Sequence, residues 1–174
     1  MPVAPARLLL DGQAEGTVSP LDRGLLYGDG LFETIRFVAG KAPLWARHMQ
    51  RLQRGCERLG LPAIDTAQLE SEALTVAEGM DEAVVRITIT RGRGERGYRL
   101  PADPQPMRLV AAFAPPVLQP GEYRDGVAAR ICALHRSRYW LASSISIGWN
   151  RCWRVPSGTI RRCSKGCFAT KPVG

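Results

Sequence analysis

Every aspartate and glutamate in this 174-residue chain lies before residue 135. The last forty residues hold eight of the 24 Lys and Arg and none of the 16 acids. They also hold three of the four Trp and three of the five Cys. Residues 1–134 are therefore neutral, and the whole formal excess of +8 sits in the tail. Folded domains intersperse charges of both signs over a packed apolar interior. A segment with no acid and no stable hydrophobic period specifies no such core. It also carries too many Trp and Cys for a solvated linker. The chain thus divides near Leu134, into a domain over 1–134 and an aberrant basic tail over 135–174. The neutrality of the first part argues against nucleic-acid binding as a property of the domain. A basic, Trp-bearing tail that binds nucleic acid or protein stays as an alternative, with Arg for phosphates and Trp for stacking.

Within 1–134 the periodicities are mixed. Residues 7–10, "RLLL", read as a short strand closed by Asp11-Gly12. Residues 31–38, "LFETIRFV", read as a strand turned by Ala39-Gly40-Lys41, with "APLW" as an antiparallel return. From Trp45 the spacing becomes helical through His48, Met49, Leu52, Cys56 and Leu59, and Gly60 stops it. A second helix is predicted over 66–78, with Thr66 as N-cap. "AVVRITIT" (83–90), "MRLVAAFA" (107–114) and "VAARICAL" (127–134) read as strands. Strands outnumber helices without alternating with them, which predicts an α+β fold rather than a doubly wound sheet. No run of about 18 apolar residues could span a membrane. The N-terminus lacks a signal-peptide pattern, so a cytoplasmic protein with reduced thiols is expected.

Three candidate sites stand out. "GRGERG", residues 92–97, matches a dinucleotide-binding glycine pattern. Such a site needs a helix opening beside the glycines, and "YRLPADPQP" excludes one. Arg91, Arg93 and Arg96 on that glycine scaffold either clamp a carboxylate or form a solvated basic hairpin. Cys152, Cys163 and Cys167 with His135 lack any C-x₂-C pair, so no metal site is expected. Arg51, one turn after His48, is either a solvated helix arginine or a bidentate phosphate ligand.

Taken in order, "DRGLLYGDGLFETIR", a glycine turn, "HMQRLQRGCERLG" and "TRGRGERGY" resemble the fold-type IV pyridoxal-phosphate enzymes. These are the class-IV aminotransferases and their lyase relatives, and the resemblance is greatest to the aminodeoxychorismate lyases. It covers about residues 7–134 and implies the N-terminal two-layer domain of that fold. It implies that Arg51 binds the cofactor phosphate through the "HxxRL" motif. Phe32 stands where some relatives place a tyrosine that holds a substrate carboxylate, and Arg96 and Tyr98 match loop positions that receive carboxylates. An anionic small-molecule substrate, pyridoxal 5'-phosphate and a homodimer are implied as well. Branched-chain and D-amino-acid aminotransferases are the alternative relatives; the "RGERGY" loop favours the lyase.

The family holds its cofactor as a Schiff base on a lysine, which also moves the substrate's α-proton. That lysine follows the 127–134 strand in a "GIKHLNRLE"-like segment. Here no lysine occurs between Lys41 and Lys165, and nothing places Lys165 or Lys171 in a cleft. The segment is nevertheless encodable. Codons for "LASSISIGWNRCWR", residues 141–154, can be read from the last base of the Leu141 codon to give GIKHLNRLEQVLA. Codon choice is free at many positions, but Trp149-Asn150 admits only glutamate in the shifted frame. The lysine codon straddles Ser143 and Ser144. The expectation is a shift of reading frame between about Leu134 and Leu141, and a chain inactive as written.

Overall fold

In the computed structural model the described residues are 7–116. Four strands form one antiparallel sheet: β1 (Arg7–Leu10), β2 (Gly30–Val38), β3 (Glu82–Thr90) and β4 (Met107–Phe113). Their spatial order is β1-β4-β3-β2. Two helices between β2 and β3, α2 (Trp45–Leu59) and α3 (Thr66–Ala77), supply a second layer on one face. The α+β expectation holds, and these residues through Pro115 belong to one compact unit. The strand expected over 127–134 lies outside the described residues.

Alternation builds the core. Leu31, Ile35 and Phe37 on β2, and Ala83, Val85, Ile87 and Ile89 on β3, all turn to the helix side and are buried. Val110 and Ala112 on β4 join the same core. Helix α2 meets them with Met49, Leu52 and Cys56. Complete burial of a side chain like Leu52 stabilises the fold by about 2–3 kcal/mol relative to exposure. Gly55 sits against Leu31; a Cβ there would lie 2.7 Å from Leu31 Cδ1. The missing side chain lets α2 approach the sheet closely.

The Cys56 thiol is 2% exposed, and burial, followed by the Glu57 charge, pushes its pKa up to about 11. Only the thiolate alkylates, so two units above the ordinary 9.0 mean about a hundredfold less reactive form. Iodoacetamide at pH 8 is expected to label Cys56 about a hundred times more slowly in the native chain than in urea. Peptide mass mapping separates it from the other cysteines. Equal rates would contradict its burial.

Local structure departs from the sequence reading at three points. Residues 42–45 do not return as a strand. Val38 and Lys41 close a two-residue turn through paired backbone bonds of 2.9 and 3.0 Å, and Trp45 already begins α2. Ala39 and Gly40 both take positive φ there. The N-cap of α3 is Asp65, not Thr66: its carboxylate accepts from Ala67 N at 2.9 Å and Gln68 N at 3.0 Å. Thr66 is the first helical residue. Finally, residues 23–27 form a short helix, α1 (Arg23–Tyr27), which is too brief to show a period. Asp22 caps it by accepting from Leu25 N at 3.0 Å. Gly28, at φ 68°, ends it.

Candidate functional site

Strand alternation carries one acid, Glu33, to the buried face of β2, where it is 1% exposed. A carboxylate there requires partners, and α2 provides two at i, i+3 spacing. Arg51 Nε donates to Glu33 Oε1 at 2.7 Å, and Arg51 Nη2 donates to Oε2. His48 Nδ1 lies 2.7 Å from the same Oε2. The hydrogen bond to Glu33 raises the pKa of Arg51 above its ordinary value, against the opposing effect of burial. Arg51 is therefore neither freely solvated nor consumed: its side chain is 48% exposed. Glu33 was not singled out from the sequence. Its signal was available, as the one acid at an inward position of an alternating strand.

The glycine-bracketed Asp29 organises a second cluster. Gly28 provides the left-handed exit from α1, and Gly30 lets β2 press against β3. A Cβ at Gly30 would lie 2.5 Å from Ile89 O. Between them, Asp29 Oδ2 accepts from Arg23 Nε and Arg91 Nε, both at 2.8 Å. Both arginine side chains are 4% exposed. Burial acts to raise the Asp29 pKa, but the hydrogen bonds from Arg91 and Arg23 outweigh it and hold the carboxyl below 3.8. Arg91 also donates to Leu59 O at 2.6 Å and Gly60 O at 3.1 Å, closing the end of α2. Arg23 donates to Gly97 O and Arg99 O, both at 3.2 Å.

This network corrects the reading of the arginine loop. Arg91 is not available to clamp a carboxylate, because burial and its three acceptors commit it to the fold. Nor is the loop a solvated hairpin. Arg23 holds its backbone, Gly97 N donates to Tyr27 Oη at 3.2 Å, and Gly94 N donates to Leu21 O at 3.1 Å. No helix follows Gly92–Gly97, as the prolines predicted. Arg93 and Arg96 remain exposed on the loop. Tyr98 is 87% exposed, and its ring lies 5.7 Å from that of Tyr27.

Phe32 lies under the guanidinium of Arg86, 4.0 Å from ring centroid to Cζ. Because Phe32 and Glu33 are consecutive on β2, they occupy opposite faces of the sheet. The fold thus places Arg51 with the helix layer and Phe32 on the other side. Arg96 and Tyr98 sit on the loop that follows β3. Ser143 and Ser144 lie outside the described residues, as do Lys165, Lys171, His135 and the three tail cysteines. Among the described residues no cluster of His, Cys, Asp and Glu could hold a metal.

The donor set fits one end of a pyridoxal phosphate. Arg51 offers a half-exposed guanidinium, held on one edge by Glu33, for a phosphate. The described residues offer no amine for the aldehyde: Lys41, their one lysine, is in the turn after β2.

Comparison with known proteins gives this arrangement a class. Residues 30–145 match the family model of the class IV amino-transferases. The chain belongs to that family. It is 29% identical over 111 residues to an aminodeoxychorismate lyase of Vibrio harveyi, covering 64% of this chain and 41% of the relative. A putative branched-chain-amino-acid aminotransferase of Methanocaldococcus jannaschii is 31% identical over 135 residues, covering 71% and 43%. D-alanine aminotransferases are also among the relatives. The solved structure of 4-amino-4-deoxychorismate lyase from Pseudomonas aeruginosa superposes with a TM-score of 0.65 at 39% identity, covering 72% and 46%. The chain therefore spans less than half the length of these relatives. The α+β domain is that of the fold-type IV enzymes. No helix among the described residues is long and apolar enough to cross a membrane.

Proposed function

We propose that this chain is the N-terminal part of an aminodeoxychorismate lyase, which forms 4-aminobenzoate and pyruvate from 4-amino-4-deoxychorismate. In this reading its frame is displaced near residues 134–141. The observation that carries the proposal is the shifted reading of the tail. Two residues of the 141–154 segment are independent of codon choice: glutamate from Trp149-Asn150, and leucine from Cys152-Trp153. The absence of acids and the excess of Trp, Cys and Arg after residue 134 are what out-of-frame codons produce. Sequence identity to the Pseudomonas aeruginosa lyase supports the substrate assignment.

In the frame-restored protein, Arg51 binds the cofactor phosphate. Pyridoxal phosphate, when bound, supplies an electron sink for charge developing beside the substrate amine. Arg96 and Tyr98, held out on a loop that Arg23 anchors, receive substrate carboxylates, and Phe32 lines the same region. The lysine encoded across Ser143 and Ser144 moves the proton. The restored protein works in the cytoplasm as a homodimer.

The test begins with sequencing the source DNA across codons 134–144. The chain as written and a frame-restored version are then assayed for 4-aminobenzoate by fluorescence. The written chain is expected to form none, and the restored protein to turn over. If the restored protein instead transaminates D-alanine or branched-chain amino acids, the aminotransferase alternative, favoured by the identity to those relatives, replaces the lyase. If the DNA stands as translated and the chain is retained on nucleic acid in a salt-sensitive way, the tail is a binding segment instead.

A further inference from the structure

We propose that Glu33 is a positioning residue that presets Arg51 for a phosphate monoester. The proposal rests on the reading of Arg51 as the phosphate ligand, and adds what aims it. A guanidinium has two edges that can grip an oxyanion in parallel: the side edge, Nε with Nη2, and the end edge, Nη1 with Nη2. Glu33 occupies the side edge, with Nε on Oε1 at 2.7 Å and Nη2 on Oε2. The end edge is left for a second anion, on a side chain that is still 48% exposed.

The carboxylate is itself fixed. It is 1% exposed on a central stretch of β2, and His48 Nδ1 lies 2.7 Å from Oε2. A carboxylate oxygen only accepts, so His48 contributes its Nδ1–H, assigned from this pairing. Glu33 cannot swing without breaking three contacts. An arginine loose on a helix surface carries rotamer entropy that a ligand must overcome. Glu33 removes part of that penalty before any ligand arrives. His48 is a second support, one step further from the anion.

The experiment uses the full 174-residue chain, labelled with nitrogen-15, and inorganic phosphate followed by pyridoxal phosphate as probes. Its readouts are the Arg51 Nε–H resonance and the dissociation constant for each probe. In the wild-type chain, Arg51 Nε–H is expected as a single signal slow to exchange with water, shifting as probe is added. Glu33→Gln keeps size and shape but weakens the grip; its dissociation constant is expected to rise about tenfold, with faster Nε–H exchange. A melting curve verifies that the variant folds. Unchanged or tighter binding by a folded Glu33→Gln chain overturns the positioning role, the latter meaning that Glu33 competes for Arg51. A fast-exchanging Arg51 Nε–H in the wild type overturns it without any variant. If that signal is slow to exchange but no probe moves it, the reading of Arg51 as the phosphate ligand fails instead.

Discussion

Asp29→Asn is expected to unfold roughly 10–25 °C below the wild-type chain, from a loss of about 3–5 kcal/mol. The substitution changes almost no volume. It removes the one negative charge shared by Arg23 and Arg91, whose side chains are each 4% exposed. Two guanidiniums would then stay buried with neutral acceptors alone, the backbone carbonyls and the asparagine oxygen. In the place of Oδ2 that oxygen can still accept both Nε–H groups, but no negative charge offsets the two buried positive ones. Domains of this size hold only about 5–15 kcal/mol in total, so the loss is a large fraction of the fold's stability.

The same pair predicts an acid limit. The Asp29 carboxyl sits below its ordinary 3.8 in the folded chain because the hydrogen bonds from Arg91 and Arg23 outweigh the effect of burial. Its contribution is therefore complete above the unfolded value, and is lost as pH falls through the folded one. Wild type and Asp29→Asn should differ most in melting temperature near neutral pH and converge as the pH falls through the folded pKa, which lies below 3.8. A difference that does not narrow in acid would show that the charge is not what stabilises the cluster.

Gly92→Ala is expected to be at least as damaging, at more than about 3 kcal/mol, and to leave little folded protein. Gly92 has φ 78°, where an alanine is strained by about 1–2 kcal/mol. Its Cβ would lie 1.8 Å from Gln105 O and 2.9 Å from Gln105 C. Both are backbone atoms, so no rotamer change relieves the overlap. Segment 105–107 would have to move away from the end of β3. Gly60→Ala is the control: φ there is also positive, at 60°, but nothing lies within 4 Å of the added methyl. It should cost only the strain, about 1–2 kcal/mol. Similar melts for the two variants would mean that the Gly92 contact relaxes cheaply.

These variants probe the stretch of sequence that carries the family likeness, and the residues divide sharply in how legible they were. The strands β2, β3 and β4 and the helix α2 are visible in the sequence, because period 2 and period 3.6 are local properties of neighbouring residues. Asp11-Gly12 and Ala39-Gly40 mark their turns for the same reason. Helix α1 was not legible: five residues show no period, and its boundary comes from Asp22 and Gly28 together with packing near Thr90. The 42–45 segment was misread because pairing after the turn stops at Lys41, and α2 already begins at Trp45.

The charged residues show the same boundary. By itself the sequence determined the types of β2, β3, β4 and α2 and the change of composition near Leu134, and it left Arg51 as either a solvated helix arginine or a phosphate ligand. It held Arg91, Arg93 and Arg96 as equals, three arginines on one glycine loop. Only the tertiary structure separated them, by bringing Asp29 and the carbonyl end of α2 against Arg91 from segments about thirty and sixty residues away. Likewise it paired Glu33 with Arg51 and His48 across the sheet–helix interface. Spacing along the chain specifies local geometry. Which buried charge meets which partner depends on long-range packing, and desolvation makes that meeting obligatory once the core has formed.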